Sequence, residues 1–144
     1  MLPDANGGRG HGSTGAVVLS AKATAQPAEV RALLDQTDWA DGRTLDGVAR
    51  LLAAGPYVTA RADGRLVGFA RALSDGCYRA LIEDVIVDVA WRGRGVGDAL
   101  LRLLLDTHLR EVDQVHLGCE EANVPFYERF GFERTTGPRM ILIR

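Results

Sequence analysis

IEDVIVDVAWRGRGVGDALLRLLL, residues 82–105, carries three signals in succession. Leu81 to Val89 is apolar and β-branched with acids interspersed, the composition of a strand. Gly93, Gly95 and Gly97 then alternate with Arg92, Arg94 and Val96. After them Val96, Ala99, Leu100, Leu103 and Leu104 recur at helical spacing, so the glycine run opens an amphipathic helix. Free N–H groups and the positive dipole end of a helix start attract an anion, and glycines allow its close approach. The stretch therefore predicts a phosphate cradle between a strand and a helix.

Spacing narrows the ligand. A dinucleotide fingerprint needs a third glycine at position 98, where Asp98 stands. A Walker loop needs Gly-Lys-Ser/Thr, and the chain's only lysine is Lys22. What fits is Arg-x-x-Gly-x-Gly at Arg92, Gly95 and Gly97, after Val85-Ile86-Val87. Downstream lies Phe126-Tyr127-Glu128-Arg129-Phe130-Gly131-Phe132. With these two motifs in this order, the sequence resembles the GCN5-related N-acetyltransferases (GNAT); Gly68-Phe69-Ala70-Arg71-Ala72 followed by Ser74-Asp75 resembles their small-amine members.

Outward from that stretch, the chain reads as one domain. Residues 1–15 are Gly-, Asn- and Ser-rich and predict a mobile tail. Ala16–Leu19 predicts a strand, and Pro27 starts a helix carrying Val30, Leu33 and Leu34. After a loop at Asp38–Gly42, a second helix runs from about Thr44 to the stop at Gly55-Pro56. Tyr57–Ala60 and Leu66–Leu73 predict strands joined by the hairpin signal Asp63-Gly64. Gln114–Gly118 predicts another strand, and Ala122–Phe130 a short helix. Phe132–Thr135 and Arg139–Ile143 predict a final hairpin about Gly137-Pro138. The expected class is α/β: a mixed, mostly antiparallel central sheet flanked by helices, in one domain over 16–144. The element order matches the acetyltransferase family over nearly all of it.

Bulk composition sets bounds. The chain has 144 residues, 47% hydrophobic and 25% charged, with a net charge of −2. That size supports a substantial core, and the charge argues against nucleic acid as a partner. Cys77 and Cys119 have no metal spacing, and Cys119 at a strand end reads as a small buried side chain. No metal is expected. No run approaches membrane-spanning length and no signal peptide is visible, so the expectation is a soluble, cytoplasmic protein.

The resemblance implies a chemistry and its residues. The co-substrate would be acetyl-coenzyme A, held at Arg92, Gly93, Arg94, Gly95, Val96, Gly97 and Asp98. Backbone groups of Val85, Ile86 and Val87 would meet its pantetheine arm, and an N–H of Ile86 or Val87 would polarise the acetyl carbonyl. Tyr127 aligns with the family tyrosine that donates a proton to the coenzyme sulfur. Glu83 and Asp84 match an acidic pair of polyamine-acetylating members, with Glu83 the expected base and Asp84 turned to the other sheet face by strand alternation. Asp84, Asp75, Tyr78 and Trp39 are expected to line the acceptor pocket. The family's asparagine that holds the pantetheine arm, seven residues before the tyrosine, is replaced by Glu120 here, and the nearby amide Asn123 is expected to take over that cofactor contact. Proline common in relatives is replaced by Val89 or Ala90. The implied function is acetyl transfer to a primary amine, a small molecule rather than a protein, by direct attack in a ternary complex. Transfer to protein N-termini or lysines, and non-catalytic acyl-coenzyme A sensing, stay open, as does a homodimer.

Overall fold

Alternating apolar positions need a surface on each side, and the five strands supply one sheet between two helical layers. The computed structural model describes residues 16–144; the expected tail lies outside them. In chain order the elements are β1 (Val17–Ser20), α1 (Pro27–Leu34), α2 (Leu45–Ala53), β2 (Tyr57–Ala62) and β3 (Arg65–Ser74). They continue with β4 (Arg79–Val87), α3 (Val96–Asp106), β5 (Gln114–Leu117) and α4 (Val124–Glu128). Single 3-10 turns lie at Val89–Trp91 and Glu121–Asn123.

Local chemistry accounts for the boundaries. Pro27 opens α1, and the Glu29 carboxylate accepts from the Gln26 N–H at 3.0 Å. The Thr44 hydroxyl caps α2 by accepting from the Gly47 N–H at 3.0 Å. Asp63 and Gly64 both adopt positive φ (50° and 77°), as the tight β2–β3 hairpin requires. Pro125 sits in the first turn of α4, where its missing N–H costs nothing.

The sheet runs β1-β2-β3-β4-β5. Its first three pairings are antiparallel, and β4–β5 is parallel because α3 crosses over between them. On one face α3 and α4 pack Val96, Leu100, Leu101, Leu104, Phe126 and Tyr127 onto Val58, Ala70, Ile82, Val85 and Val87. On the other, α1 and α2 bring Val30, Leu33, Leu34 and Val48 to Leu66, Phe69 and Ile86. Among the described residues no helix is long and apolar enough to cross a membrane.

The expected final hairpin does not form. Residues 132–144 contain no strand, and Met140–Ile143 stands exposed. Side chains rather than a backbone ladder anchor this segment: Arg134 pairs with Glu121, and the Arg139 guanidinium lies against Gly118. Cys119 is likewise exposed, not buried, because β5 ends at the sheet's open edge.

Candidate active site

The site begins where two parallel strands part. β4 and β5 are paired only from Arg79↔Gln114 to Ile82↔Leu117. β5 then ends, while β4 continues to Val87, paired to β3 alone. Backbone groups of Glu83–Val87 on the β5 side therefore have no ladder partner there, and an extended ligand arm can take the place of the missing strand.

A bulge interrupts β4 within that opening. Arg71 pairs with Asp84 and Ala72 with Ile82, so Glu83 is the extra residue. Ile82 and Val85 consequently face the same core, although regular alternation would put them on opposite faces. Glu83 is half-buried, and among the described residues its side chain has no ion pair or hydrogen bond.

Asp84 is engaged elsewhere. Its carboxylate is fully buried on the α1–α2 side, with Oδ2 accepting from Arg71 Nε at 2.5 Å and Arg43 NH1 at 3.3 Å. Oδ1 has no partner. This is an ion-pair centre tying the loop before α2 to the sheet, not an acceptor ligand as expected.

Beyond Val87 the chain enters the glycine run. Asp88 closes β4 by accepting from Ala90 N–H at 2.9 Å, Arg65 at 3.2 Å and Gln36 Nε2 at 3.3 Å. Gln36 Oε1 in turn accepts from Val89 N–H at 2.9 Å. Arg92 folds back, with Nε donating to the Val87 carbonyl at 3.1 Å, and its buried NH2 lacks a partner. Arg94 stacks over Trp91 at 4.9 Å. Gly95 takes φ 79° as the N-cap of α3, with no side-chain cap and nothing within 4 Å of where a Cβ would stand. The space beside Gly95 is open, and it leads into the first-turn amides of Val96, Gly97 and Asp98, which a helix start leaves without intrahelical partners; this suits a diphosphate. Asp98 itself faces Arg102 and Arg129.

Tyr127 stands on α4, just past the end of β5, and only 2% of it is exposed. Its ring packs edge-on against Phe126 and Phe132. The hydroxyl is buried without a hydrogen-bond partner. Burial first, and the neighbouring Cys119 second, push the phenol above its ordinary value of about 10. Such a group stays protonated and offers a donor that no group among the described residues accepts. Asn123, buried one helical turn earlier, shares this corner.

The remaining expected acceptor residues lie apart. Asp75 holds its own turn, accepting from the N–H groups of Cys77, Tyr78 and Arg79 through Oδ1, which keep its carboxyl below the usual range. Tyr78 is exposed beside it, five residues before Glu83 and so roughly 16 Å along an extended strand. The structure does not bring this pair to the bulge. Trp39 is exposed on the α1–α2 connection, the segment whose Arg43 touches Asp84. Sequence reading missed Gln36 and Arg43. Asp88 had a signal, an acid ending a strand ahead of a turn; a glutamine 53 residues before Val89 had none.

A mixed sheet whose parallel pair splits beside a glycine-rich helix start defines an acetyltransferase-type fold. The chain belongs to the acetyltransferase (GNAT) family, whose profile matches residues 22–132. It is similar to the histone acetyltransferase TAP1 of Glycine max, 43% identical over 48% of this chain and 30% of that protein. It is also similar to the chloroplastic serotonin N-acetyltransferase 2 of Oryza sativa subsp. japonica, 40% identical over 48% of this chain and 35% of that one. The chain thus spans about a third of the length of these curated relatives. A crystal structure assigned as an acetyltransferase from Deinococcus radiodurans R1 superposes with a TM-score of 0.72. It is 34% identical, covering 90% of this chain and 87% of that one.

Proposed function

We propose that the protein transfers the acetyl group of acetyl-coenzyme A to a primary amine, a small molecule, by direct attack in a ternary complex. The observation that carries this reading is the parting of β4 from β5 after Ile82↔Leu117, in line with the open helix start at Gly95. The diphosphate would rest on the amides of Val96–Asp98, and the pantetheine arm would pair with Val85–Val87 as a strand does. The thioester then comes to the bulge, where an N–H of Ile86 or Val87 polarises its carbonyl.

In the reaction a C–N bond forms and the C–S bond breaks. The amine must first lose a proton, which Glu83 accepts directly or through water. Negative charge grows on the departing sulfur, and Tyr127 supplies a hydrogen bond to it. A thiol of pKa about 8.5 is a stronger acid than a phenol above about 10. Full transfer from Tyr127 to the thiolate is therefore uphill by roughly 2 kcal/mol or more. Tyr127 acts as a donor to the thiolate, and solvent completes its protonation after release.

The relatives' names point to both protein and small-amine acceptors. The strand Gly68–Ala72 followed by Ser74-Asp75, similar to that of small-amine members, supports the latter. A panel of arylalkylamines, polyamines and a histone-tail peptide, assayed by thiol release and product mass, tests the proposal. Amine-dependent thiol release with an N-acetylated small amine is expected. Release with the peptide alone would move the acceptor class, and no amine-dependent release would overturn the reading.

A further inference from the structure

The turn Val89–Trp91 carries the chain from β4 into the glycine run, and each of its backbone N–H groups needs an acceptor. Two find one locally. Ala90 N–H donates to Asp88 Oδ1 at 2.9 Å, and Trp91 N–H donates to the Asp88 carbonyl at 2.8 Å. Val89 N–H turns instead to Gln36 Oε1, 2.9 Å away and 53 residues earlier in the chain. The other end of the same side-chain amide, Nε2, donates to Asp88 Oδ2 at 3.3 Å. Gln36 therefore grips the turn with both ends of its amide, and only one orientation of that amide suits both partners. Its own N–H donates to the Leu33 carbonyl at 3.1 Å, which fixes it to the closing turn of α1.

The turn has the shape that proline imposes, without a proline. A proline at position 89 would fix φ and carry no N–H, so it would need no partner there. Asp88 has ψ 136°, the extended value required before proline, and position 89 opens the 3-10 turn, where proline fits. Val89 has an unfixed φ and an N–H to satisfy, and its side chain is 59% exposed, so packing does not hold it. What holds it is Gln36.

We propose that Gln36 is a positioning residue for the diphosphate of the coenzyme. It clamps the turn to α1, and the turn sets where Arg92 and the N-cap Gly95 follow. Arg92 Nε returns to the Val87 carbonyl at 3.1 Å across the same turn, so a displacement at Val89 passes into the glycine run. Arg65, pairing with Asp88 at 3.2 Å, fixes the carboxylate against which Gln36 is oriented. The inference rests on the acetyl-coenzyme A reading for the identity of the ligand, and on the hydrogen bonds of Gln36 for the rest.

Calorimetry with coenzyme A on the full chain, as parent and three variants, tests it. Gln36→Ala should weaken binding about tenfold, the worth of one or two neutral hydrogen bonds. Gln36 is exposed, so the thermal transition should stay near the parent's. Val89→Pro should bind as the parent does. Gln36→Ala in the Val89→Pro background should then cost little, because the ring fixes what the glutamine held. In turnover, Gln36→Ala should raise the KM for acetyl-coenzyme A and leave kcat and the amine KM at parental values. With S-acetylpantetheine, which has the arm and thioester but no diphosphate, kcat/KM should not change. Parental coenzyme A affinity in Gln36→Ala would overturn the proposal. So would the same loss with and without the proline, or an equal loss with S-acetylpantetheine. A parent that binds coenzyme A yet releases no thiol with any amine would remove the acyl-transfer reading alone, since the calorimetric cycle still decides the role of Gln36.

Discussion

At the residue scale, the two acids at the bulge divide the work that sequence alternation assigned only in part. Strand alternation predicts Asp84 on the face opposite its neighbour Glu83. It could not show that Glu83 is the bulge residue, since a bulge is a property of two strands' register. Nor could it find Arg43, 41 positions from Asp84 along the chain. Glu83→Gln should lower turnover at neutral pH, with partial recovery at alkaline pH as solvent supplies more free amine. Alkylamines titrate near about 10.4, so each unit of pH raises the reactive fraction up to there. Asp84→Asn should instead leave Arg71 buried beside an uncharged amide, costing about 3–5 kcal/mol in a urea melt. A flat pH response in Glu83→Gln, or an unchanged melt in Asp84→Asn, would reverse these roles. Tyr127→Phe separates chemistry from packing. A positioned proton donor contributes ~10²–10⁴-fold, and one that donates a hydrogen bond without full transfer belongs at the low end. The phenol hydroxyl is buried without a partner, so its removal should leave the melting temperature equal or slightly higher. Falling turnover with an undiminished melt is the expected pair of results. Parental turnover would make Tyr127 a packing residue.

At the element scale, the pieces that local chemistry terminates were legible. Pro27, Thr44, Asp63-Gly64 and the glycine run each mark a boundary that the structure places within a few residues. The final hairpin was misread because period and propensity describe what a segment can do, not whether an edge lies alongside it. The start of α3 allows a direct check. Gly95 sits at φ 79°, a conformation that side chains with a Cβ rarely adopt. Gly95→Ala should weaken coenzyme A binding in calorimetry, by strain in the cap and by filling the open space. Parental affinity in a folded variant would place the diphosphate elsewhere. A second junction, between α1 and β2, depends on pH. Two hydrogen bonds join Arg61 to Glu29, at 2.8 and 2.9 Å. Chiefly through them, Arg61 holds the Glu29 carboxyl at about 2, below its ordinary 4.5. A lowered folded pKa gives stability that is complete above the unfolded value and disappears as pH falls through the folded one. The melting temperature of Glu29→Gln should lie below the parent's at neutral pH, and the gap should close between about pH 4.5 and 2. A constant gap across that window would mean that charge at Glu29 contributes nothing.

At the scale of the whole molecule, a mixed, mostly antiparallel sheet flanked by helices was legible, because the strands alternate with helical patterns along the chain. Seating of the layers was not legible, since it depends on contacts between strands and helices far apart in sequence. Gly68 is the clearest such contact. A Cβ built there would lie 2.8 Å from Leu100 Cδ1, 3.1 Å from Val96 Cγ1 and 3.2 Å from Ala60 Cβ. The first turn of α3 thus rests directly on the β3 backbone, and the same turn presents the amides of the phosphate cradle. Gly68→Ala should push that turn outward, costing about 1–3 kcal/mol of stability as overpacking does. It should also weaken coenzyme A binding without touching the ligand. Leu100→Ala alone should cost about 2–5 kcal/mol through its cavity. Together the two should cost less than their sum, because the added methyl enters space that the lost isobutyl group vacates. The coupling should exceed about 0.5 kcal/mol, above the ~0.3–0.5 kcal/mol scatter of independent sites. Urea melts on the four proteins of this cycle measure it, and calorimetry with coenzyme A shows whether affinity returns in the double variant. Simple additivity would mean that α3 is seated by the rest of its apolar face. Coupled stability with unrestored affinity would mean that the cradle amides move independently of the helix that carries them.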